Sequence, residues 1–307
     1  TLLLLRRSTM PTVSLAFGYD TERPYGDLAS KPEATKFRRK QLDFLGRLDD
    51  IFKKHDAPRT HFILGSWLRG YVDSGQVEEL HDILGDDSLV ELAQHSYSHQ
   101  TIKAVPGQPD RIPTDLDVFV PDLGRGAGIV EGVFGVTPMG LRIPVGYLGD
   151  LRHNGTESLP KRLPTVGLKY VSSDLRGSKN SYEPELSVDR QPHTYAAVGA
   201  PEVVEIPSTG FQDVVFGDDK KAQAAGFGKL PTLDDLMDYY GNLFSDAVTM
   251  AEVNDIDITL ALCLHPWAVM KYDPNLELHE RQLNMALEKG MDIVTYGKIA
   301  DRILAEA

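Results

Sequence analysis

Ile256-Asp257-Ile258-Thr259-Leu260-Ala261-Leu262-Cys263-Leu264, followed at once by His265-Pro266-Trp267, is the stretch on which the fold turns. It reads as a buried strand, apolar for most of its length and ending in a histidine. On its N-terminal side, Pro231-Thr232-Leu233-Asp234-Asp235 is a helix start, with Thr232 as N-cap and acids in the first turn. Leu233, Leu236, Met237, Tyr240, Phe244 and Val248 continue that helix at helical spacing. On its C-terminal side, Leu276 to Lys289 reads as a helix stopped by Gly290, and Met291 to Thr295 as a last strand before a terminal helix. Helix, strand, helix, strand is the grammar of a parallel sheet.

The same alternation extends to the N-terminus. Thr12 to Phe17, His61 to Leu64, Leu89 to Ala93, Gly167 to Ser172 and Val203 to Ile206 read as strands. Phe44, Leu45, Leu48, Ile51 and Phe52 fall at helical spacing, and a helix is expected over Leu123 to Phe134, closing at Gly135. Ser173 to Pro201, rich in Gly, Pro and polar residues, reads as a long loop. Six to eight βα units without a long linker fit one barrel of 307 residues better than two unrelated domains. In such barrels the chemistry sits at the C-terminal ends of the strands.

Composition narrows the function. Lys and Arg total 32 against 45 Asp and Glu, a net charge of −13, which disfavours nucleic acid and anionic membranes as partners. A single cysteine, Cys263, excludes an internal disulfide framework and any multi-cysteine zinc site. It reads as a small core residue, since no elbow-type turn surrounds it. No transmembrane span is read, and the run Leu2 to Leu5 is too short for a signal-peptide core and stands before Arg6 and Arg7 rather than after a basic segment. Residues 1–11 are expected to be an N-terminal extension, with Met10 as the natural start, and a cytoplasmic location is expected.

Four groups of residues can carry chemistry. In Glu91-Leu92-Ala93-Gln94-His95-Ser96-Tyr97-Ser98-His99, a helical turn would put His95 and His99 on one side, where they can share a cation; two surface histidines fit the spacing as well. Asp20 ends the first strand and can complete a two-histidine, one-carboxylate set with open positions; a turn-capping role fits it equally. Arg142, held before Pro144 and Gly146, is suited to aim a guanidinium at a carboxylate, or to lie in a surface turn. His265 at the end of the long strand suits a general acid for an amine leaving group, or a satisfied strand-end histidine.

The order of these elements, from about residue 12 to 302, resembles the polysaccharide deacetylase family, also called the NodB-homology domain or carbohydrate esterase family 4. His95-Ser96-Tyr97-Ser98-His99 and Leu262-Cys263-Leu264-His265 are the most specific elements. Arg142-Ile143-Pro144, Thr60 to Gly65 and Val294 to Ala300 add to them, and His265-Pro266-Trp267 looks most like branches related to allantoinase. The resemblance implies a distorted (β/α)7 barrel over residues 12–307 as a single domain. It implies one divalent metal, usually zinc, on Asp20, His95 and His99. His265 would protonate the leaving nitrogen, Asp174 would orient His265, and Arg142 would tether the general base.

One departure stands out. With Asp20 as ligand, the family's base position falls on Gly18 or Tyr19, neither of them an acid. Glu22, Asp174 or Asp213 would then have to serve, or hydrolysis would be lost. Tyr19, Tyr147 and Trp267 are candidate substrate-stacking aromatics, with ordinary wall packing as the alternative. The expected activity is metal-dependent removal of N-acetyl groups from a sugar or polysaccharide. The alternatives are hydrolysis of a small cyclic amide or ureide, and a silent carbohydrate-binding protein. A carbohydrate or small amide is the expected partner, with self-association into a homo-oligomer left open.

Overall fold

A computed structural model describes residues 10–23, 32–85, 87–105, 108–178 and 180–307. The extension expected over residues 1–11 lies almost wholly outside the described residues. The strands are β1 (Val13–Thr21), β2 (Arg59–Ile63), β3 (Val90–Gln94), β4 (Gly140–Tyr147), β5 (Tyr170–Asp174), β6 (His193–Tyr195), β7 (Ala200–Glu205), β8 (Ile258–Leu264) and β9 (Asp292–Ile293). They pair in the order β6-β7-β5-β4-β3-β2-β1-β8, with β9 on β1. Every pairing is parallel except β6 with β7. Seven parallel strands, β1 to β5 with β7 and β8, thus form an α/β barrel-like sheet. The gap between β7 and β8 is crossed by the chain that leaves β7: Ile206 N donates to Val171 O of β5, and Thr209 N donates to Ala261 O of β8 at 2.9 Å. No helix among the described residues is long and apolar enough to cross a membrane.

Side-chain alternation assigns each strand an inside and an outside. Leu15, Phe17 and Tyr19 of β1, with Leu260, Leu262 and Leu264 of β8, pack outward against the helices Pro32–Lys54 and Leu233–Asn254. Ala16, Phe62, Ala93, Tyr170, Val204 and Ala261 point inward and meet Tyr296 and Ile299 of the terminal helix Tyr296–Glu306. The helix Leu233–Asn254 starts as its sequence implies: Thr232 and Asp235 form a reciprocal capping box.

Several boundaries differ from the sequence reading, which has no strand where β4 lies, and three of the differences bear on the site. β1 runs to Thr21 rather than stopping at Phe17, because Gly18 to Thr21 pair with Thr60 to Ile63 of β2, and Gly18 and Tyr19 also pair with Cys263 and Leu264 of β8. The helix expected from Leu123 begins at Leu116, where the Asp115 side chain caps it. The loop expected over Ser173 to Pro201 contains β6 and the start of β7.

The longer β1 has a consequence for Gly18. Its missing side chain leaves room for two others: a Cβ there would lie 2.6 Å from Arg142 Nη2 and 2.6 Å from the Tyr296 ring. Gly18→Ala is therefore expected to destabilise the fold by about 1–3 kcal/mol, the usual cost of overpacking. Denaturant unfolding of the purified variant checks this; unchanged stability would mean that Arg142 and Tyr296 move aside freely.

Candidate active site

The alternation that sends Phe17 and Tyr19 outward sends Gly18, Asp20 and Glu22 toward the interior. Asp20 and Glu22 are both buried, at 4 % exposure each. Asp20 Oδ1 lies 3.4 Å from Arg142 Nε, and its Oδ2 lies 3.7 Å from His265 Nε2 and 4.0 Å from His95 Nε2. Glu22 Oε2 lies 2.9 Å from His99 Nε2 and 3.7 Å from His95 Nε2. Trp267 Nε1 donates to the other oxygen, Oε1, at 3.3 Å. Burial would raise the pKa of Glu22, but the facing imidazoles of His99, His95 and His265 win and hold the carboxyl well below its ordinary range.

His95 continues the inward row of β3 beyond Ala93. Its Nδ1 lies 2.8 Å from the backbone oxygen of Arg142. A carbonyl only accepts, so the proton sits on Nδ1 and the Nε2 lone pair faces the carboxylates. Burial pushes the pKa of His95 down to about 4, against the pull of Asp20, so the ring is neutral, as a metal ligand must be. His99 reaches the same point by a loop, not by the helical turn expected. Ser96 and His99 take left-handed conformations, φ +61° and +56°, and His99 N donates to Ser96 Oγ at 3.1 Å. Asp122 of the helix Leu116–Phe134 clamps the loop: Oδ2 accepts from Tyr97 N and Ser98 N at 3.1 and 3.0 Å, and Oδ1 accepts from Ser98 Oγ at 2.7 Å.

His265 stands at the start of the helix Pro266–Tyr272. Asp213 grips it twice: Oδ1 takes the Nδ1 proton and Oδ2 takes the backbone N–H, both at 2.7 Å. Burial alone would lower the pKa of His265, but Asp213, with help from Asp20, raises it to about 9. The imidazolium is then the neutral-pH form, with Nε2–H turned toward Asp20. Arg142 is completely buried, with Nη2 donating to Tyr296 OH at 2.8 Å and Tyr296 OH donating to Leu262 O at 2.9 Å.

Several expectations change. The carboxylate grouped with both histidines is Glu22; Asp20 instead groups with Cys263 and His265. The residue orienting His265 is Asp213, not Asp174. Asp174 is ion-paired with Arg190 at 3.1 Å and accepts from Gly149 N at 3.0 Å. Tyr19 faces away from the site and stacks on His61 and His279. Tyr147 is buried with its hydroxyl accepting from Ile102 N and Lys103 N, so it is part of the scaffold. Trp267 does line the pocket, whose interior volume is ≈150 Å³, together with Asp20, Glu22, His95, His99 and His265. Cys263 Sγ donates to Asp20 Oδ2 at 3.7 Å, and burial pushes the thiol pKa up, which suits the core role read from sequence. Asp122 carried no sequence signal of its own, and Tyr296, within the segment Val294 to Ala300, gave no hint of its partner, because both act across more than twenty residues of chain.

The donor set Glu22, His95 and His99 fits a divalent cation. The three ligand atoms lie within 4.8 Å of one another. Tetrahedral coordination with bonds of about 2.0–2.2 Å needs donor separations of roughly 3.4 Å, and the measured 2.9 and 3.7 Å bracket that value.

No family model and no curated protein matches the chain by sequence. Solved structures do match. A protein from Mycobacterium smegmatis named as a polysaccharide deacetylase superposes with a TM-score of 0.66 at 20% identity, covering 98% of this chain and 93% of that one. The PuuE allantoinase follows at 0.59 and 16% identity, covering 95% and 90%. A Pseudomonas aeruginosa PAO1 protein, also named as a polysaccharide deacetylase, gives 0.58 at 14% identity, covering 96% and 91%. The chain therefore has the fold of the polysaccharide deacetylases, one that an allantoinase shares.

The clamp on the histidine loop is open to test. Asp122→Ala removes one carboxylate from three donors on a partly exposed loop, where water can replace it in part, so the cost is about 1 kcal/mol. Reduced stability in denaturant, with faster hydrogen exchange at the Tyr97 and Ser98 amides, is the expected outcome. Unchanged exchange would show that the loop holds its shape without Asp122.

Proposed function

We propose that the protein is a metal-dependent hydrolase of C–N amide bonds whose two carboxylates at the end of β1, Asp20 within the strand and Glu22 just after it, divide the work. Glu22, with His95 and His99, holds the divalent cation, most simply zinc, and Asp20 is the general base. The observation that carries this reading is the different company of two inward acids: Asp20 faces the buried guanidinium of Arg142 and His265, whereas Glu22 Oε2 faces His99 and His95, with the half-exposed Arg23 at 3.8 Å from its other oxygen. On this assignment the base position is not vacant. Gly18 is the gap that admits Arg142, so on this reading hydrolysis does not require an acid at that position.

A cation bound at this set would polarise the amide carbonyl and make water easier to deprotonate. Asp20, aligned by Arg142, takes the proton of the attacking water as its oxygen bonds to the carbonyl carbon. His265 gives its Nε2 proton to the leaving nitrogen as the C–N bond breaks. Asp213 keeps that imidazolium in the right tautomer and orientation throughout. The substrate is an acetamido group on a sugar. A small cyclic amide or ureide is the second reading, and the pocket favours it on one count. At ≈150 Å³ it is smaller than most ligand sites, so it takes a single amide-bearing unit more readily than several sugar rings.

Metal analysis and kinetics separate the roles. Glu22→Ala, His95→Ala and His99→Ala are expected to lose the metal, whereas Asp20→Asn and His265→Ala keep it and lose roughly 10²–10⁴-fold in rate. A metal-free Asp20→Asn protein would return Asp20 to the ligand set. Activity screens on N-acetylated sugars and on cyclic amides such as hydantoin distinguish the substrates.

A second test uses pH. His265 must be protonated to act, so with its pKa raised to about 9 the rate should persist through neutrality and fall on the alkaline side near that value. Asp213→Asn removes the charge that raises the pKa, so the alkaline limb of kcat/KM should move to lower pH with metal content unchanged. An unmoved limb would show that another group supplies the proton.

A further inference from the structure

Arg176 lies two residues beyond β5, is 6 % exposed, and lines the same pocket as Glu22, His95 and His265. Among the described residues no carboxylate lies within ion-pair distance of it, and its Nε has no hydrogen-bond partner. Its one hydrogen bond, from Nη2 to Val145 O, is long at 3.4 Å. The guanidinium instead rests over the Tyr182 ring, 4.4 Å from the centroid. The two arginines with no exposed surface, Arg59 and Arg142, each face a carboxylate: Asp49 and Asp87 for the first, Asp20 for the second. A largely buried guanidinium without a counter-charge is destabilising, and an anion beside it relieves that cost.

The surroundings agree. Val145, the acceptor, holds a left-handed conformation at φ +74°, strained for a β-branched residue, and it too lines the pocket. Lys221 lies over the same Tyr182 ring at 5.8 Å and makes no ion pair among the described residues. Arg111 also lines the pocket, as does Arg23, which lies 3.8 Å from Glu22. Cations on a pocket wall draw anions toward it.

We propose that the substrate carries a carboxylate beside its scissile amide, and that Arg176, flanked by Lys221, binds it. The word substrate rests on the amide-hydrolase reading above; the anion site does not. A planar guanidinium takes a carboxylate side-on with two parallel hydrogen bonds. A pocket of ≈150 Å³ that must also hold the amide suits a carboxylate better than a bulkier phosphate.

Calorimetric binding to the metal-loaded protein tests this with two matched pairs: N-acetylmuramic acid, whose lactyl carboxylate on O3 adjoins the C2 acetamide, against N-acetylglucosamine, and hydantoin-5-acetic acid against hydantoin. In at least one pair the acid is expected to bind roughly 10-fold or more tightly, the worth of a charge-assisted pair. Arg176→Gln should abolish that preference. Lys221→Gln, on a half-buried position at the pocket wall, should weaken it and guards against an Arg176 variant that fails to fold. Equal affinities within both pairs, no binding of either acid, or a preference that survives both substitutions would overturn the proposal. Turnover is followed separately: a carboxylate preference without hydrolysis supports the anion site and overturns the hydrolase reading alone.

Discussion

A guanidinium with no exposed surface sits inside the barrel, and the positions around it follow from having to satisfy it. Arg142 lies over the Phe62 ring at 4.5 Å and the Tyr296 ring at 5.1 Å, bonds the Tyr296 hydroxyl and faces Asp20. A buried charge is tolerated only when paired and hydrogen-bonded. That requirement fixes the carboxylate on β1, the tyrosine that opens the terminal helix and the glycine whose absent side chain makes the space. The same residue's backbone oxygen sets the tautomer of His95. Arg142 thus orients the candidate base with its side chain and a candidate ligand with its main chain, so replacing it would disturb both.

Strand length is what separates two readings of the same acids. Hydrophobicity ends β1 at Phe17, since Gly18 and Asp20 are poor strand residues by propensity. Pairing to β2 on one side, and to β8 on the other as far as Tyr19, overrides that preference and carries the strand to Thr21. Once the strand is that long, period-two alternation puts Gly18 and Asp20 in one row and excludes Tyr19, and Glu22, the first residue after the strand, follows on the same side. The parallel architecture, the histidine pair, Arg142 and His265 were legible because each belongs to a local pattern. The partner of His265 was not. Asp174 and Asp213 both follow strands, and only the three-dimensional path of the chain after β7 brings Asp213 to the histidine. The aromatic residues show the same limit: Tyr147 and Trp267 both flank site elements, yet one hydroxyl serves backbone amides and the other ring faces the pocket.

The charges explain why the interior can hold so many ionisable groups without being torn apart. Asp20, Glu22 and Asp213 are buried within a few ångströms of one another's partners. Against these three carboxylates stand two fixed positive charges, Arg142 and the protonated His265, because burial keeps His95 neutral. The excess is negative, and part of it sits at Glu22, which faces His95 and His99 and has the half-exposed Arg23 at 3.8 Å from its other oxygen. A dication between Glu22, His95 and His99 reverses that excess, using lone pairs that a proton would otherwise occupy. With the dication in place the interior would be positive, and the cations on the pocket wall would add to it. A neutral amide alone leaves that field unanswered, whereas a substrate that brings a negative group brings the compensating charge with it.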